Sequence, residues 1–328
     1  MEEQEAQKWR DLLAKRIRDP HERQQIALAL NISQATLTRW VNGDSKPRKQ
    51  NLHRLAQVLP EYRVLFTKMA AESFDEVSKA YEEPENIEIP SIFYARVLNA
   101  HCNLPRIIHF SSLCEVILQQ ALKQLDPQRV GMEITVVQCM YPSRDGKVRS
   151  LREYIGQATP PWNRDAESKI MFLGMESLAG FVVTSGRSQA IEKRQKNISR
   201  FSVQWVDWEE SAMAYPIMRS DRIAGCLLVS SVHLEYFTFP HRQKLIQYYA
   251  ELLSVIFEPE NFYPLADIDL GYMPEYKVQY PHIATFRQRT ANMMITRQVN
   301  VTEAEHLVWQ EIEEELLRKP LPSEIPSE

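Results

Sequence analysis

Residues 24–59, QQIALALNISQATLTRWVNGDSKPRKQNLHRLAQVL, have the pattern of two helices joined by a sharp turn and followed by a loop and a third helix. A helix with one buried face is predicted for residues 22–30, which carry Ile26, Ala27, Leu28 and Leu30. Ser33 suits the N-cap of the next helix, because its hydroxyl can accept a hydrogen bond from the first turn. That helix is predicted over residues 34–41 and ends at Gly43, which accommodates a positive φ angle.

The second of these helices has an outer face of polar, mostly uncharged residues. Leu37 and either Trp40 or Val41 are predicted to face inward, and the outer face carries Gln34, Ala35, Thr38 and Arg39. Amide and guanidinium groups on such a helix can form bidentate hydrogen bonds with base edges in a DNA major groove. A solvated helix in an ordinary bundle has the same spacing, so spacing alone leaves both interpretations open.

Three motifs follow one another here: Ser33-Gln34-x-Thr36-Leu37-x-Arg39-Trp40-x-Asn42-Gly43, Lys46-Pro47, and Leu52-x-x-Leu55-Ala56-x-x-Leu59. Together they resemble the Cro/C1 (Xre-type) helix-turn-helix family nearly position for position, over about residues 8–60. The resemblance implies binding to double-stranded DNA. By the docking mode of that family, the base contacts are assigned to Gln34, Ala35, Thr38 and Arg39.

Basic residues around the motif are candidates for contacts with DNA phosphates. The family resemblance implies such contacts for the loop after the second helix, and with Arg23 near the preceding helix the candidates are Arg23, Lys46, Arg48 and Lys49. Phosphate contacts provide affinity and register but carry no sequence information. Each of these side chains has a solvated surface position as its alternative, and Arg39 suits either a guanine or a phosphate.

The charge of the chain is unevenly distributed. The net charge is −4 over 328 residues, yet residues 1–68 hold 13 Lys and Arg against 8 Asp and Glu, a net charge of +5. The remainder therefore carries −9. A basic head on an acidic body fits a protein that places one domain on a polyanion, although chance asymmetry of this size is the alternative.

Composition indicates a cytoplasmic globular protein without a membrane partner. No apolar run approaches the ~20 residues of a membrane-spanning helix, and the N-terminal MEEQEAQKWRD has no secretory h-region. Four scattered cysteines indicate a reducing compartment rather than a disulfide framework. The length allows about two or three domains.

Residues 91–258 alternate between helical and strand patterns, which predicts an α/β (α+β) domain with a central antiparallel sheet. Helices are predicted at residues 91–102, 111–125, 165–173, 178–184 and 239–257. Strands are predicted at residues 131–140, 148–154, 212–218 and 223–232, the last two as a hairpin.

Three segments of this section are more specific: Ser177-Leu178-Ala179-Gly180-Phe181-Val182-Val183-Thr184-Ser185-Gly186-Arg187, Tyr215-Pro216-Ile217-x5-Ile223-Ala224-Gly225-Cys226-Leu227-Leu228-Val229, and Phe237-Thr238-Phe239. They resemble the mid-domain helix, the central hairpin and the start of the final helix of a GAF domain, over about residues 105–258. These motifs mark the fold rather than a ligand. The motifs of cyclic-nucleotide-binding and bilin-attaching GAF domains are not found, so the cofactor is unknown.

The predicted architecture is therefore multidomain. An all-α helix-turn-helix head occupies residues 1–74, a linker residues 75–90, and a GAF-like domain residues 91–258. A C-terminal extension occupies residues 259–328: an extended, proline-containing segment, a helix at 302–318 that begins with the capping box Thr302-Glu303-Ala304-Glu305, and a disordered tail.

The GAF resemblance places any ligand above the sheet, near the loops at about residues 141–176 and 192–211. The second loop mixes cations with Phe201, Trp205, Asp207 and Trp208, which suits a small-molecule pocket. The same residues suit a lid with a small core of its own.

Other side-chain combinations predict neither a metal site nor an enzyme. His101, Cys102, His109 and Cys114 lie within a short span, but their spacing matches no paired-ligand pattern. No acid–base pair, activated nucleophile or phosphate-binding loop stands out.

The expected function is that of a transcription regulator. It is expected to act as a homodimer, because one helix-turn-helix covers about half of a typical operator. A small-molecule effector would change the spacing of the two heads through its differential affinity for two dimer geometries. The alternative is a ligand-independent DNA-binding protein whose GAF-like body serves as a dimerisation or protein-docking platform.

Overall fold

The computed structural model describes residues 2–30, 32–47, 51–52, 55, 58–59, 88–162, 170–192 and 208–319. These residues contain ten α-helices and one seven-stranded sheet. Residues 60–87, which hold the end of the predicted head and most of the predicted linker, and the tail from residue 320 lie outside the described part.

The head begins with three helices, α1 (Glu2–Arg16), α2 (Pro20–Leu30) and α3 (Gln34–Asn42). α2 and α3 correspond to the helices predicted at residues 22–30 and 34–41. Their core contains Trp9, Leu13, Ile26, Leu30, Leu37, Trp40 and Leu55. One prediction was wrong: Leu28 is 73% exposed. It lies two residues from both Ile26 and Leu30, and a spacing of two places a side chain on the opposite side of a helix.

The body is built on an antiparallel sheet with the strand order β3-β2-β1-β6-β5-β4. The strands are β1 (Met132–Cys139), β2 (Leu151–Ala158), β3 (Phe172–Leu173), β4 (Gln189–Ile191), β5 (Ser211–Arg219), β6 (Arg222–Ser231) and β7 (Tyr263–Pro264). β7 pairs with the start of β6. The predicted hairpin is confirmed as β5–β6, with Arg219 opposite Arg222 and Ser220 at φ 56° in the turn.

Four helices cover the two faces of this sheet: α4 (Ser91–Asn103), α5 (Arg106–Leu125), α6 (Leu178–Ser185) and α7 (Pro240–Ile256). α4, α5 and α7 share one core with Ile134, Leu227 and Val229 of the sheet. α6 packs on the opposite face through Val182 and Val183. The sheet is therefore the middle layer of a three-layer body.

The C-terminal extension differs from the prediction. Residues 259–300, predicted to be extended, contain α8 (Tyr276–Ala284) and α9 (Phe286–Arg297), and α10 (Val301–Leu317) follows. Pro281 lies inside α8 and obscures its helical pattern in the sequence. A tertiary contact holds this segment: the buried Gln279 accepts a hydrogen bond from Phe172 N at 2.8 Å and donates one to Phe172 O at 2.9 Å.

Three local predictions are also corrected. The second body helix begins at Arg106 rather than residue 111, directly after Pro105. Phe172 and Leu173, predicted as helical, form β3 because β2 offers its edge to them. The N-cap of α10 is Asn300, whose side chain accepts a hydrogen bond from Glu303 N at 3.0 Å, and Thr302 is already helical.

α10 brings a carboxyl group into the interior. Glu313 is 4% exposed and accepts a hydrogen bond from the Ser150 hydroxyl. Burial raises the pKa of Glu313 from 4.5 to about 7, because the charged form loses its hydration there. The folded state therefore binds this proton more tightly than the unfolded state does.

We expect Glu313→Gln to remove a pH dependence of stability. A raised carboxyl pKa contributes stability that is fully present at about pH 4.5 and is lost as the pH rises to about 7. The loss amounts to roughly 3 kcal/mol at most. Thermal unfolding of the full chain at about pH 5 and about pH 8 measures it. Glu311→Gln, an exposed carboxyl on the same helix, is the control, and equal slopes in wild type and Glu313→Gln would contradict the assignment.

Candidate nucleic-acid interface and other candidate sites

α3 has capped ends of the kind that its sequence predicted. The Ser33 hydroxyl accepts a hydrogen bond from Thr36 N at 3.3 Å. At the other end Gly43 has φ 85°, and its N–H donates to Trp40 O at 3.3 Å. These caps satisfy backbone groups that a nine-residue helix would otherwise leave without partners.

The orientation of α3 exposes the predicted base-contacting residues. Leu37 and Trp40 are buried and Val41 is half-buried, so Trp40 is the second inward residue. Gln34, Ala35, Thr38 and Arg39 are all exposed, as is Asn42 at the end of the helix. Thr38 Oγ1 donates to Gln34 O at 3.2 Å, and Arg39 Nη2 lies 3.4 Å from Thr36 Oγ1.

The candidates for phosphate contacts have different environments. Lys46 is exposed and follows the C-cap of α3. Arg23 is half-buried, and its Nε donates to Ile17 O at 2.8 Å, which ties it to the end of α1. Arg48 and Lys49 lie outside the described residues.

The predicted ligand loop is only partly described. Phe201, Trp205 and Asp207 lie outside the described residues. Trp208 is half-buried, and its ring meets that of Trp162 edge-on with centroids 6.3 Å apart. Both belong to a small cluster with Val130, Ala158 and Val232.

The residues considered for a metal are not assembled into a site. The rings of His101 and His109 lie 4.7 Å apart, and His109 Nε2 is 2.9 Å from His101 O. Cys114 is fully buried and Cys102 is exposed. Among the described residues, no three His, Cys, Asp or Glu side chains are grouped to hold a metal ion.

A polar cluster between β2 and α10 was missed from the sequence. Arg152 lies under Trp309, with its Cζ 4.3 Å from the centroid of the indole. Burial lowers the pKa of Arg152 to about 10 because the guanidinium is desolvated. One turn earlier on α10, the His306 ring lies 3.7 Å from the ring of Tyr141. The only signal in the sequence was an arginine within an otherwise strand-like segment, residues 151–158.

A helix-turn-helix family model matches residues 15–63. The matched segment includes α3 and both of its caps. The chain therefore carries a helix-turn-helix of the Cro/C1 type, the class of domain found in DNA-binding regulators. No curated protein sequence matches the chain significantly.

Solved structures similar to the body include GAF domains. The GAF domain of an Acinetobacter phosphoenolpyruvate-protein phosphotransferase has 12% identity and a TM-score of 0.38, covering 51% of this chain and 93% of its own. A free methionine-R-sulfoxide reductase of Thermoplasma acidophilum has 11% identity and a TM-score of 0.35, and the match covers 45% of this chain and 93% of the reductase. Another GAF domain has 14% identity and a TM-score of 0.36, and the match covers 54% of this chain and 93% of that domain.

The body has an α/β fold with an antiparallel sheet between helices, as the sequence predicted. The predicted mid-domain helix is α6, which Ser177 caps and Gly186 ends at φ 65°. The predicted central hairpin is β5–β6. None of the described helices is both long and apolar enough to cross a lipid bilayer.

We expect Gly43→Ala to loosen α3. The new Cβ would meet Arg10 at an ordinary 3.8 Å, so the cost comes from the φ angle of 85° alone. That cost is about 1 kcal/mol, which makes amide exchange in the last turn of α3 about fivefold faster. Hydrogen exchange of the full chain, read by mass spectrometry, measures this change. Gly43→Asn is the matched control, since asparagine tolerates this conformation better, and equal exchange in both variants would refute the explanation.

Proposed function

We propose that this protein is a sequence-specific DNA-binding transcriptional regulator, with α3 as its recognition helix and the GAF-like body as its sensory or dimerising part. A protein of this kind acts in the compartment that contains the DNA, and we assign it to the cytoplasm. One face of α3 packs in the core of the head, and the opposite face is exposed and can enter a DNA major groove. The exposure of Gln34, Ala35, Thr38 and Arg39 on that face carries the proposal.

The exposed face of α3 combines the two kinds of group that read bases. The Gln34 amide can form two hydrogen bonds with the major-groove edge of an adenine. The Arg39 guanidinium can form two with the major-groove edge of a guanine. Ala35 and Thr38 are small enough to allow a close approach to the groove and to contact a thymine methyl group. Lys46 stands at the start of the following loop, where a flexible ammonium reaches a phosphate.

We expect the substitutions on α3 and in the loop to have different effects. Gln34→Ala and Arg39→Ala should each cost about 1–3 kcal/mol on the preferred operator and relax the sequence preference. Lys46→Ala should weaken binding to all sequences alike and reduce the salt slope by about one. Titrations of the promoter region and of random DNA at two salt concentrations measure both effects.

The same titrations test the function as a whole. A wild-type preference of about a thousandfold or more for one sequence is expected of a specific regulator. Asp44→Ala, also exposed beside α3, is the control for a general change in charge at this surface. If Gln34→Ala, Arg39→Ala and Lys46→Ala all reduced binding to operator and random DNA equally, the assigned roles would be wrong.

A homodimer is the proposed working form. One α3 reads half of a two-fold operator, so two heads are needed for a complete site. Four exposed apolar side chains lie on α4, α5 and α7 and would be covered in a dimer that pairs through these helices: Ile92, Leu98, Ile108 and Val255. The same surface favours the second candidate function, in which the body is a ligand-independent dimerisation or docking platform.

We expect Ile92→Glu to weaken the dimer. Ile92 is 76% exposed on α4, so a charge there costs the monomer little but would be buried in a dimer interface. Sedimentation velocity over a concentration series should show a dimer for wild type and more monomer for the variant. Ile295→Glu, at a similarly exposed site on α9, is the control. A monomeric wild type, or a dimer unaffected by Ile92→Glu, would exclude this surface.

We infer no enzymatic activity. Burial raises the pKa of Cys114, Cys139 and Cys226, so these thiols stay protonated and are poor nucleophiles. Cys102 is exposed on α4, away from the sheet face that carries α6. Glu313, whose pKa burial raises to about 7, is engaged by Ser150 where α10 packs on the sheet.

A further inference from the structure

Two buried polar atoms lie without hydrogen-bond partners between β2 and α10. They are Arg152 Nε and His306 Nε2. A buried donor or acceptor without a partner costs about 1–3 kcal/mol, and more for a charged group. Native proteins leave few such atoms, so two of them at one contact point to something that binds there.

The two side chains are held from opposite sides by well-packed elements. Arg152 lies in the sheet between Gln138 of β1 and Phe172 of β3. His306 and Trp309 are three residues apart on α10 and so share one face of that helix. Trp309 packs on Arg152 and on Phe172, whereas His306 packs on Tyr141, which follows β1. On that face, Trp309 therefore lies on the guanidinium, and His306 lies on Tyr141 one helical turn away.

The guanidinium has no acidic partner within hydrogen-bonding distance in the described structure. Glu305, Tyr141 and Tyr154 influence it electrostatically, and desolvation is the dominant effect on its pKa. A pKa of about 10 still leaves Arg152 cationic at neutral pH. By contrast, Arg149 two residues earlier pairs with Asp145 and Asp269, and Arg289 pairs with Glu315. Among the described residues, Arg152 is thus a half-buried cation with a buried Nε and no ion-pair partner.

We propose that a small organic carboxylate binds between β2 and α10, with its anionic end on Arg152 and His306. The indole of Trp309 covers one face of the guanidinium, which leaves its in-plane donors for a planar carboxylate. Tyr141, Tyr154 and Trp309 provide aromatic surface for the rest of the molecule. Glu305 at the rim disfavours a dianion such as phosphate and can accept a ligand ammonium group. This inference rests on the sensory part of the proposed function and specifies its ligand.

His306 contributes a neutral donor to this site. Burial lowers the pKa of His306, so its imidazole is uncharged at neutral pH and can donate one N–H. A ligand that bonds to both Arg152 and His306 joins the sheet to the C-terminal helix. Its binding would therefore stabilise the docking of α10 on the body.

The test is a thermal-shift series on the full chain. The probes are benzoate, hexanoate, phenylalanine and inorganic phosphate, and benzamide and hexanamide are the uncharged controls. At a concentration of about 100 Kd, a carboxylate should raise Tm by about 5–10 °C. A response to phenylalanine alone identifies an amino acid as the ligand class, whereas benzoate or hexanoate identifies a simple acid. No shift with any carboxylate, or an equal shift with the amides, would overturn the proposal.

Two substitutions of Arg152 assign the site. Arg152→Met should abolish the shift without lowering the Tm of the free protein, because it removes a buried charge that lacks a partner. Arg152→Lys keeps the charge but not the planar fork, so a smaller shift should remain. His306→Leu should reduce the shift as well.

Arg219→Met is the matched control. Arg219 also lies over an aromatic ring, that of Phe262 at 4.7 Å, but it donates to the carbonyl oxygens of Ser254 and Phe257. Its substitution should lower Tm and leave the carboxylate shift intact. If Arg152→Met lowered Tm as much as Arg219→Met does, or kept the shift, Arg152 would have a structural role only.

DNA titration separates this inference from the proposed function. If carboxylates shift Tm and Arg152→Met removes the shift, the site stands even if the protein shows no operator preference. If the operator preference is found but no carboxylate binds, the regulator stands and this site is rejected.

Discussion

The central strand β6 is buried on both faces, and the rest of the body is arranged around that constraint. Leu227 and Val229 face the core under α5 and α7, whereas Ile223 and Cys226 face α6. Burial of apolar surface on each face stabilises the fold by roughly 25 cal/mol per Å². The helices on both faces are therefore needed for stability. Gly225 shows how close the packing is, because a Cβ there would lie 1.9 Å from Val137 O.

The edge of the sheet at β2 and β3 is covered by the C-terminal extension as well as by α5. Trp309 of α10 packs on Phe172, and Gln279 of α8 bonds to the backbone of the same residue. The extension is therefore part of the body core rather than an appended tail. Because α10 packs here, Glu313 is withdrawn from water and Arg152 is half-buried.

The helices of the head and the hairpin of the body were predictable because their signals are local. Ser33 and Gly43 flank α3 with a cap at each end, and Ser220 lies in a turn between two apolar strands. The outward orientation of Gln34, Ala35, Thr38 and Arg39 follows from the 3.6-residue period once Leu37 and Trp40 are placed inward. Local signals failed where tertiary contacts decide: β3 is a strand only because β2 pairs with it, and α8 contains a proline.

By itself, the sequence determined the local elements and the exposed face of α3. It also determined the kind of domain in each part of the chain, a helix-turn-helix in the head and an α/β domain in the body. Periodicity and capping act between residues three or four apart, so they can be read along the chain. Only the tertiary structure decided which polar groups are buried together. Ser150 and Glu313 are 163 residues apart in the sequence and hydrogen-bonded in the fold, and Arg152 meets Trp309 and loses its water only when α10 packs on the sheet. The environment of a charge depends on what packs over it, and no pattern of neighbouring residues records that.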